Sequence, residues 1–182
     1  MGEPDILTAR LRLRPVQRED LDVLAALNAD ARVMAPFGGP AARAKTIGWL
    51  ERLLLHWRAH GYGRFVVEEA GTFVGLVGLS RTEFDAGFVP GIEIAWRLVF
   101  EHWGKGYATE AARAVIDEGF GRLGLDAIVG VTTPDNARSR RVMERLGMSY
   151  SPGETFQHSL LPEGDPLRTH VVYRLTRPAR PG

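Results

Sequence analysis

Between residues 91 and 120 the hydrophobic rhythm of this chain changes period across a glycine-rich turn, and few architectures accommodate that arrangement. Residues 91–99 read as a strand. After Gly104-Lys105-Gly106, apolar positions recur at Ala108, Ala111, Ala112, Val115, Ile116 and Phe120, the strongest helical stripe in the chain. A strand that turns tightly into an amphipathic helix is a building unit of α/β folds.

The remaining segments agree with that class. Ala9, Leu11 and Leu13 alternate with Arg10, Arg12 and Arg14, predicting a half-buried strand over 7–15 that Pro15 closes. Leu21, Leu24, Ala25 and Leu27 predict a helix over 18–30. A loop with the breakers Pro36, Gly38, Gly39 and Pro40 leads into a second helix over 41–60, with Ile47, Leu50, Leu54 and Trp57 on one stripe. Strands are expected over 64–69 and 72–81, joined as a hairpin by Ala70-Gly71. Another strand over 127–133 precedes a turn at Pro134-Asp135-Asn136 and a helix over 137–146 that Gly147 caps. A long polar loop over 151–169, a last strand over 170–176 and a frayed tail over 177–182 complete the chain. The order β-α-α-β-β-β-α-β-α-β predicts an α/β fold with a mixed sheet, and 182 residues are most simply one domain.

Composition narrows the function. Twenty-three basic residues against 22 acidic ones leave a net charge of +1, without the whole-domain positive field of a general nucleic-acid binder. No apolar run approaches the ~20 residues of a membrane span, and residues 1–5 lack the pattern of a secretory leader. The absence of cysteine excludes disulfides, thiolate catalysis and cysteine zinc sites and permits the cytoplasmic setting expected here, and charge and hydropathy lead to the expectation of no nucleic-acid or membrane partner.

Several motifs fail on context. Gly119-Phe120-Gly121-Arg122-Leu123-Gly124 has the letters of a dinucleotide fingerprint, yet it ends a helix where the fingerprint must open one. Gly104-Lys105 is not the end of a Walker motif, because Val99 occupies the first glycine position and Gly106 the magnesium-binding hydroxyl position. His56 and His60 share a helix face without the Glu or third ligand of a zinc site, so no metal is expected. No Gly-x-Ser-x-Gly elbow is present. The turn at Gly104, Lys105, Gly106, Tyr107 and Ala108 does sit correctly, after a strand and opening a helix. Glycines there let backbone N–H groups approach a ligand, and the first helical turn adds partial positive charge. This is a phosphate cradle, with Lys105 nearby and the Thr109 hydroxyl as a further donor, or else a tight turn with no ligand.

Read with its neighbours, this turn resembles the GNAT superfamily of acetyl-coenzyme A dependent N-acetyltransferases, in particular the branch with the ribosomal-protein N-terminal acetyltransferases. The resemblance covers nearly the whole chain. It rests on Leu11-Arg-Leu-Arg-Pro15, Gly75-Leu-Val-Gly-Leu79, Gly91-Ile-Glu-Ile-Ala-Trp-Arg-Leu98, Trp103-Gly-Lys-Gly-Tyr-Ala-Thr-Glu-Ala-Ala112, Asn136 with Ser139, Leu146-Gly-Met148, and Leu161-Pro-Glu-Gly-Asp-Pro-Leu-Arg168. Glu101 departs from the pattern, standing where Gln or Arg often opens the loop.

The resemblance implies a mixed sheet splayed between its fourth and fifth strands, with acetyl-coenzyme A as co-substrate in the splay. It implies that Leu98 and Val99 offer backbone to the pantetheine and that residues 104–109 cradle the pyrophosphate. Asn136 would bond the pantetheine arm, and a free N–H at a bulge in the fourth strand would meet the thioester carbonyl. Asn136 is also a good helix cap by itself. Acetyl transfer to an amine needs a proton acceptor and a donor for the leaving thiolate. Glu93, polar between Ile92 and Ile94, is either that base, its pKa raised by burial, or a buried carboxylate paired with an arginine such as Arg97. Ser139 shares the inward stripe with Val142, Met143 and Leu146, and is either the thiolate's donor or a hydroxyl bonded to its helix. The loops 34–40, 61–63 and 151–169 would wall the acceptor pocket, with Glu154, Glu163 and Asp165 available to attract a cation. The acceptor stays open among a peptide N-terminus, a polyamine, an aminoglycoside and another small amine. A homodimer is compatible with this reading, and the alternative to an enzyme is a catalytically silent acyl-coenzyme A sensor.

Overall fold

The computed structural model describes residues 5–82, 86 and 91–178. The elements are β1 (Ile6–Leu7), β2 (Arg12–Pro15), α1 (Leu21–Ala29), α2 (Ala31–Met34), α3 (Arg43–His60), β3 (Arg64–Glu69), β4 (Thr72–Arg81), β5 (Ile92–Leu98), α4 (Tyr107–Phe120), β6 (Ala127–Thr132), α5 (Ala137–Arg145), β7 (Ser149–Tyr150), β8 (Phe156–Gln157) and β9 (Thr169–Thr176). The strands form a mixed sheet in the order β1-β2-β3-β4-β5-β6-β9-β7, with β8 added to β9. Every neighbouring pair is antiparallel except β5 and β6.

That parallel pair opens the sheet. β4 and β5 stay in register from Gly75↔Leu98 to Arg81↔Ile92, whereas β5 and β6 bridge only at Glu93↔Val129. Beyond Glu93 the strands part. These are the fourth and fifth strands expected from sequence, renumbered because the first splits in two. Its alternation fails at Thr8, which folds a local turn with Leu11, and Ala9 and Arg10 are left exposed.

Helices cover both faces. On one, α4 packs on β4, β5 and β6, burying Ala111, Ala112, Val115 and Ile116. On the other, α1 packs on α3, whose buried stripe is Thr46, Leu50, Leu53 and Trp57. The stripe expected from sequence is turned, and Ile47 is left 41% exposed. A buried polar pair accounts for the turn: Asn28 Nδ2 of α1 donates to Thr46 Oγ1 at 3.1 Å. Burying both groups is tolerable only because they satisfy each other.

Two further differences concern β9. The loop over 151–169 contains β8, and the unexpected β7 pairs with β9 at Ser149↔Arg174. The tail does not fray at once, since Arg177 N donates to Asp126 O at 2.8 Å and its Nε to Leu125 O at 2.7 Å. Positions 179–182 of that tail lie outside the described residues. Among the described residues no helix is long and apolar enough to cross a membrane.

The glycines of the Gly75-Leu-Val-Gly-Leu79 motif have a steric reason. A Cβ at Gly78 would meet Gly63 O at 2.2 Å and Arg64 Cα at 2.5 Å, both backbone. Gly78→Ala is therefore expected to destabilise by about 1–3 kcal/mol, the range for overpacking. Thermal unfolding should fall by roughly 3–10 °C for a chain of this size, and an unchanged midpoint would refute the packing argument.

Candidate active site

The glycine turn forms the floor of the splay. Gly104 and Gly106 have φ of 76° and 82°, in the left-handed region that glycine adopts without steric penalty. Gly106, at the N-cap of α4, has no side chain with which to bond the N–H groups of the first turn. Gly104, Gly106, Tyr107, Ala108 and Thr109 all line a cavity of about 510 Å³. Lys105 does not. Its carbonyl accepts from Arg10 Nη1 at 3.0 Å, and its Nζ lies 5.9 Å from the Tyr107 ring centroid.

Anchors invisible to a motif search hold this turn. Glu110 accepts from Thr8 Oγ1 at 2.6 Å and from Arg10 Nε at 2.7 Å, tying α4 to the break between β1 and β2. Burial pushes the Glu110 carboxyl up, yet hydrogen bonds from Thr8 and Arg10 prevail and hold it below the ordinary range. The buried Tyr107 hydroxyl donates to Glu69 of β3. Glu101 accepts from Arg32 Nη2 at 3.1 Å, and Arg32 itself lines the cavity. The cation absent from position 101 thus reaches the splay from α2.

The strand edge differs in detail from the expectation. Val99 N donates to Val74 O at 2.9 Å, so that backbone donor belongs to β4 and Val99 does not line the cavity. By ladder alternation, the peptide groups of Ile94, Trp96 and Leu98 face the open side. Leu98 O is already engaged by Trp103 Nε1 at 2.9 Å. The expected bulge in this strand is absent, for β5 pairs regularly with β4; the irregularity lies between β3 and β4 at Val67/Glu68.

Across the splay stands α5. Asn136 caps it, with Oδ1 accepting from Ser139 N at 3.2 Å and Nδ2 donating to Thr132 Oγ1 at 2.9 Å. One Nδ2–H and one Oδ1 lone pair remain for a ligand. Ser139 is half-buried and lines the cavity with Val142 and Met143, and its hydroxyl makes no bond to its own helix. Arg138 and Arg141 also line it, and their only mark in the sequence is the density of arginine over residues 138–141.

A second cavity of about 450 Å³ lies on the α3 side of the sheet. The two cavities share Pro36, Phe37, Glu93, Val131 and His170, and of these only Glu93 and His170 titrate. Glu93 is half-buried at this junction rather than enclosed in the core. Arg97 is not the arginine that a paired Glu93 would need: Arg97 Nη1 donates to Asn28 Oδ1 at 2.5 Å, and Arg97 meets no carboxylate among the described residues.

His170 was missed because nothing around it in sequence marks a site; β9 and the loop carrying His158 bring it there. Its Nδ1 lies 3.3 Å from Arg168 O, a carbonyl that can only accept, so the proton sits on Nδ1 and Nε2 keeps its lone pair. Burial lowers its pKa from the ordinary 6.5, against the smaller opposing effect of the Arg168 contact. His158, with ring centroids 4.9 Å apart from His170, is lowered too, by burial and by its neighbour's charge.

The acids expected to attract a cation are elsewhere. Glu154 pairs with Arg174, Asp165 Oδ1 accepts from Leu167 N, and neither they nor Glu163 line either cavity. Both ring nitrogens of His56 are engaged, Nδ1 with Tyr62 O at 2.9 Å and Nε2 with Arg81 N at 3.2 Å.

The mixed sheet thus opens between two parallel strands, with the head of a helix below the opening. The sequence matches the family described as an acetyltransferase (GNAT) domain over residues 10–149, and the chain belongs to that family of acyl-coenzyme A dependent N-acetyltransferases. The FsC-acetyl coenzyme A-N(2)-transacetylase of Aspergillus fumigatus is 33% identical over 164 residues, 85% of this chain and 68% of that protein. The spermidine N(1)-acetyltransferase of Escherichia coli K12 is 31% identical over 147 residues, 76% of this chain and 73% of that protein. An acetyltransferase structure from Agrobacterium tumefaciens matches with a TM-score of 0.79 at 31% identity, covering 97% of this chain and 96% of that one. The fold is also that of Rim-type ribosomal-protein acetyltransferases. One is the ribosomal L7/L12 alpha-N-protein acetyltransferase RimL with coenzyme A, at a TM-score of 0.77 and 15% identity over 95% of this chain and 98% of that one.

Proposed function

We propose that the chain transfers the acetyl group of acetyl-coenzyme A to a primary amine, on a small molecule or a peptide N-terminus, by direct attack in a ternary complex in the cytoplasm. The observation that carries this reading is the meeting of two cavities at a junction whose titratable groups are Glu93 and His170. The donor enters from the splay and the acceptor from the α3 side, and neither blocks the other.

The donor supplies an electrophilic thioester carbonyl. The first-turn N–H groups of α4 hold its pyrophosphate, with Arg32 and Arg138 adding positive charge and Asn136 bonding the pantetheine arm. Glu93 takes a proton from the acceptor ammonium, directly or through water, which frees the nitrogen lone pair. A C–N bond forms and the C–S bond breaks; Ser139 gives its hydroxyl proton to the departing sulfur and is reprotonated, through water, by the second proton that the acylated nitrogen sheds. Orientation within one complex supplies much of the acceleration. His170 is a second proton acceptor at the same junction, favoured by its neutral ring and unbonded Nε2.

Ser139 acts on the transition state more than on the bound donor. Ser139→Ala should lower kcat by ~10-fold or more with donor affinity changed less than threefold. Thiol release under conditions where chemistry limits turnover is the measurement, and an undiminished kcat would leave Ser139 a structural residue. Donor binding without thiol release from any amine would overturn the transferase reading in favour of a sensor.

A further inference from the structure

The charge of the second cavity constrains what enters it. Its charged walls are Arg52 of α3, Arg64 of β3 and Arg81 of β4, against Glu93 alone. Arg52 and Arg81 meet no carboxylate among the described residues. Arg64 is held in place, its Nη1 donating to Gly78 O at 3.1 Å and its Nη2 to Ser80 Oγ at 3.0 Å.

A fourth guanidinium, Arg97, lines the donor cavity and stands behind this wall without lining it. Arg97 stands over the rings of Phe37 and Trp49, at 4.1 Å and 4.6 Å from their centroids, and both rings line the cavity. Its Nε is buried and makes no hydrogen bond. Burial first, and the charge of Arg64 second, push Arg97 down to about 10, so it remains a cation at neutral pH without a counter-ion. The Phe37 and Trp49 rings stand between Arg97 and this cavity, so its charge reaches an anion there only at longer range, while Arg52 and Arg81, exposed and facing no carboxylate among the described residues, are the direct contacts. The acid sits at the junction where the amine must react, and the leucines at 53, 160, 161 and 167 line the space beyond it.

We propose that the acceptor is an amine that also carries an anionic group, a carboxylate or a phosphate, with its ammonium at Glu93 and its anion on the arginine wall. This rests on the acetyl-transfer reading above and names its substrate class. A polyamine such as the spermidine named for the E. coli relative would press its further positive charges against those arginines.

Matched amines test it. L-leucine and L-leucinamide differ in the carboxylate, O-phosphoethanolamine and ethanolamine in the phosphate, and spermidine supplies the polycation. Thiol release gives kcat/KM, and calorimetry on the coenzyme A-saturated protein gives affinity. The anionic member of at least one pair is expected to exceed its neutral partner by ~10-fold or more in both measures. Leucinamide has the less basic amine and more free base at neutral pH, so a preference for leucine cannot come from amine reactivity. The double variant Arg52→Gln, Arg81→Gln should bring the ratio within about threefold, while Arg43→Gln, on the same helix and outside the cavity, should preserve it. Equal or better use of the neutral amines or spermidine would overturn the proposal, as would a ratio unchanged in the double variant or no binding by any of them. Preferential binding of the anionic amines without thiol release would uphold this inference and sink the acetyl-transfer reading; transfer without preference would do the reverse.

Discussion

Gly106→Val is expected to abolish acetyl-coenzyme A binding while the protein still folds. Gly106 sits at φ 82°, where a residue with a Cβ is strained by roughly 1–2 kcal/mol and a β-branched one by more. Space is not the obstacle in the free protein, since the nearest atom to an added Cβ is Arg10 Nη2 at 3.5 Å, the end of a flexible side chain. The damage falls on the ligand. Either the turn leaves the left-handed region and takes the first-turn N–H groups of α4 out of line, or the isopropyl group occupies the approach to them. Titration calorimetry on a variant with the wild-type circular dichroism spectrum is the check. Unchanged affinity would sink the cradle assignment, and Gly106→Ala should lie between valine and glycine.

How far such a site is legible in sequence depends on the range of the interactions that build it. The glycine turn and the stripe of α4 are local patterns, and both stand where periodicity and breakers put them. The α3 stripe was read with Ile47 inside because hydropathy cannot register a buried Asn28–Thr46 bond between helices. The strand over 7–15 failed for a similar reason: Arg10 belongs to Glu110, a hundred residues away in the chain. The chemistry divides the same way. Glu93 stands out by its polarity between two isoleucines, Asn136 and Ser139 by the family resemblance, and all three line the splay. His170 and the arginine wall carry no such signal, because only the pairing of β9 beside β6, and the packing of α3 on the sheet, makes neighbours of residues 52, 81, 93 and 170. Loop acids read as cation attractors by composition alone proved to be bonded elsewhere.

The largest catalytic effect is expected at Glu93. Glu93→Gln keeps the size of the side chain and removes its ability to take a proton, so turnover at neutral pH should fall by ~10²-fold or more with donor affinity near wild type. The acidic limb of the pH–rate profile should vanish with it. His170 supplies the internal control, because its folded pKa lies below 6.5 and any limb it causes must appear below that pH. The sign for stability runs the same way. An unfolded chain takes up the histidine proton near pH 6.5 while the folded one resists, so stability falls as the solution is acidified through that range. Rates there must be read only where circular dichroism shows the variant folded. Loss of turnover in Glu93→Gln with a residual limb below pH 6.5, itself removed by His170→Asn, would divide the proton between the two groups. Full turnover in Glu93→Gln and its collapse in His170→Asn would move the base to the last strand. Full turnover in both would mean that the amine arrives as the free base, and that the junction orients it without accepting a proton.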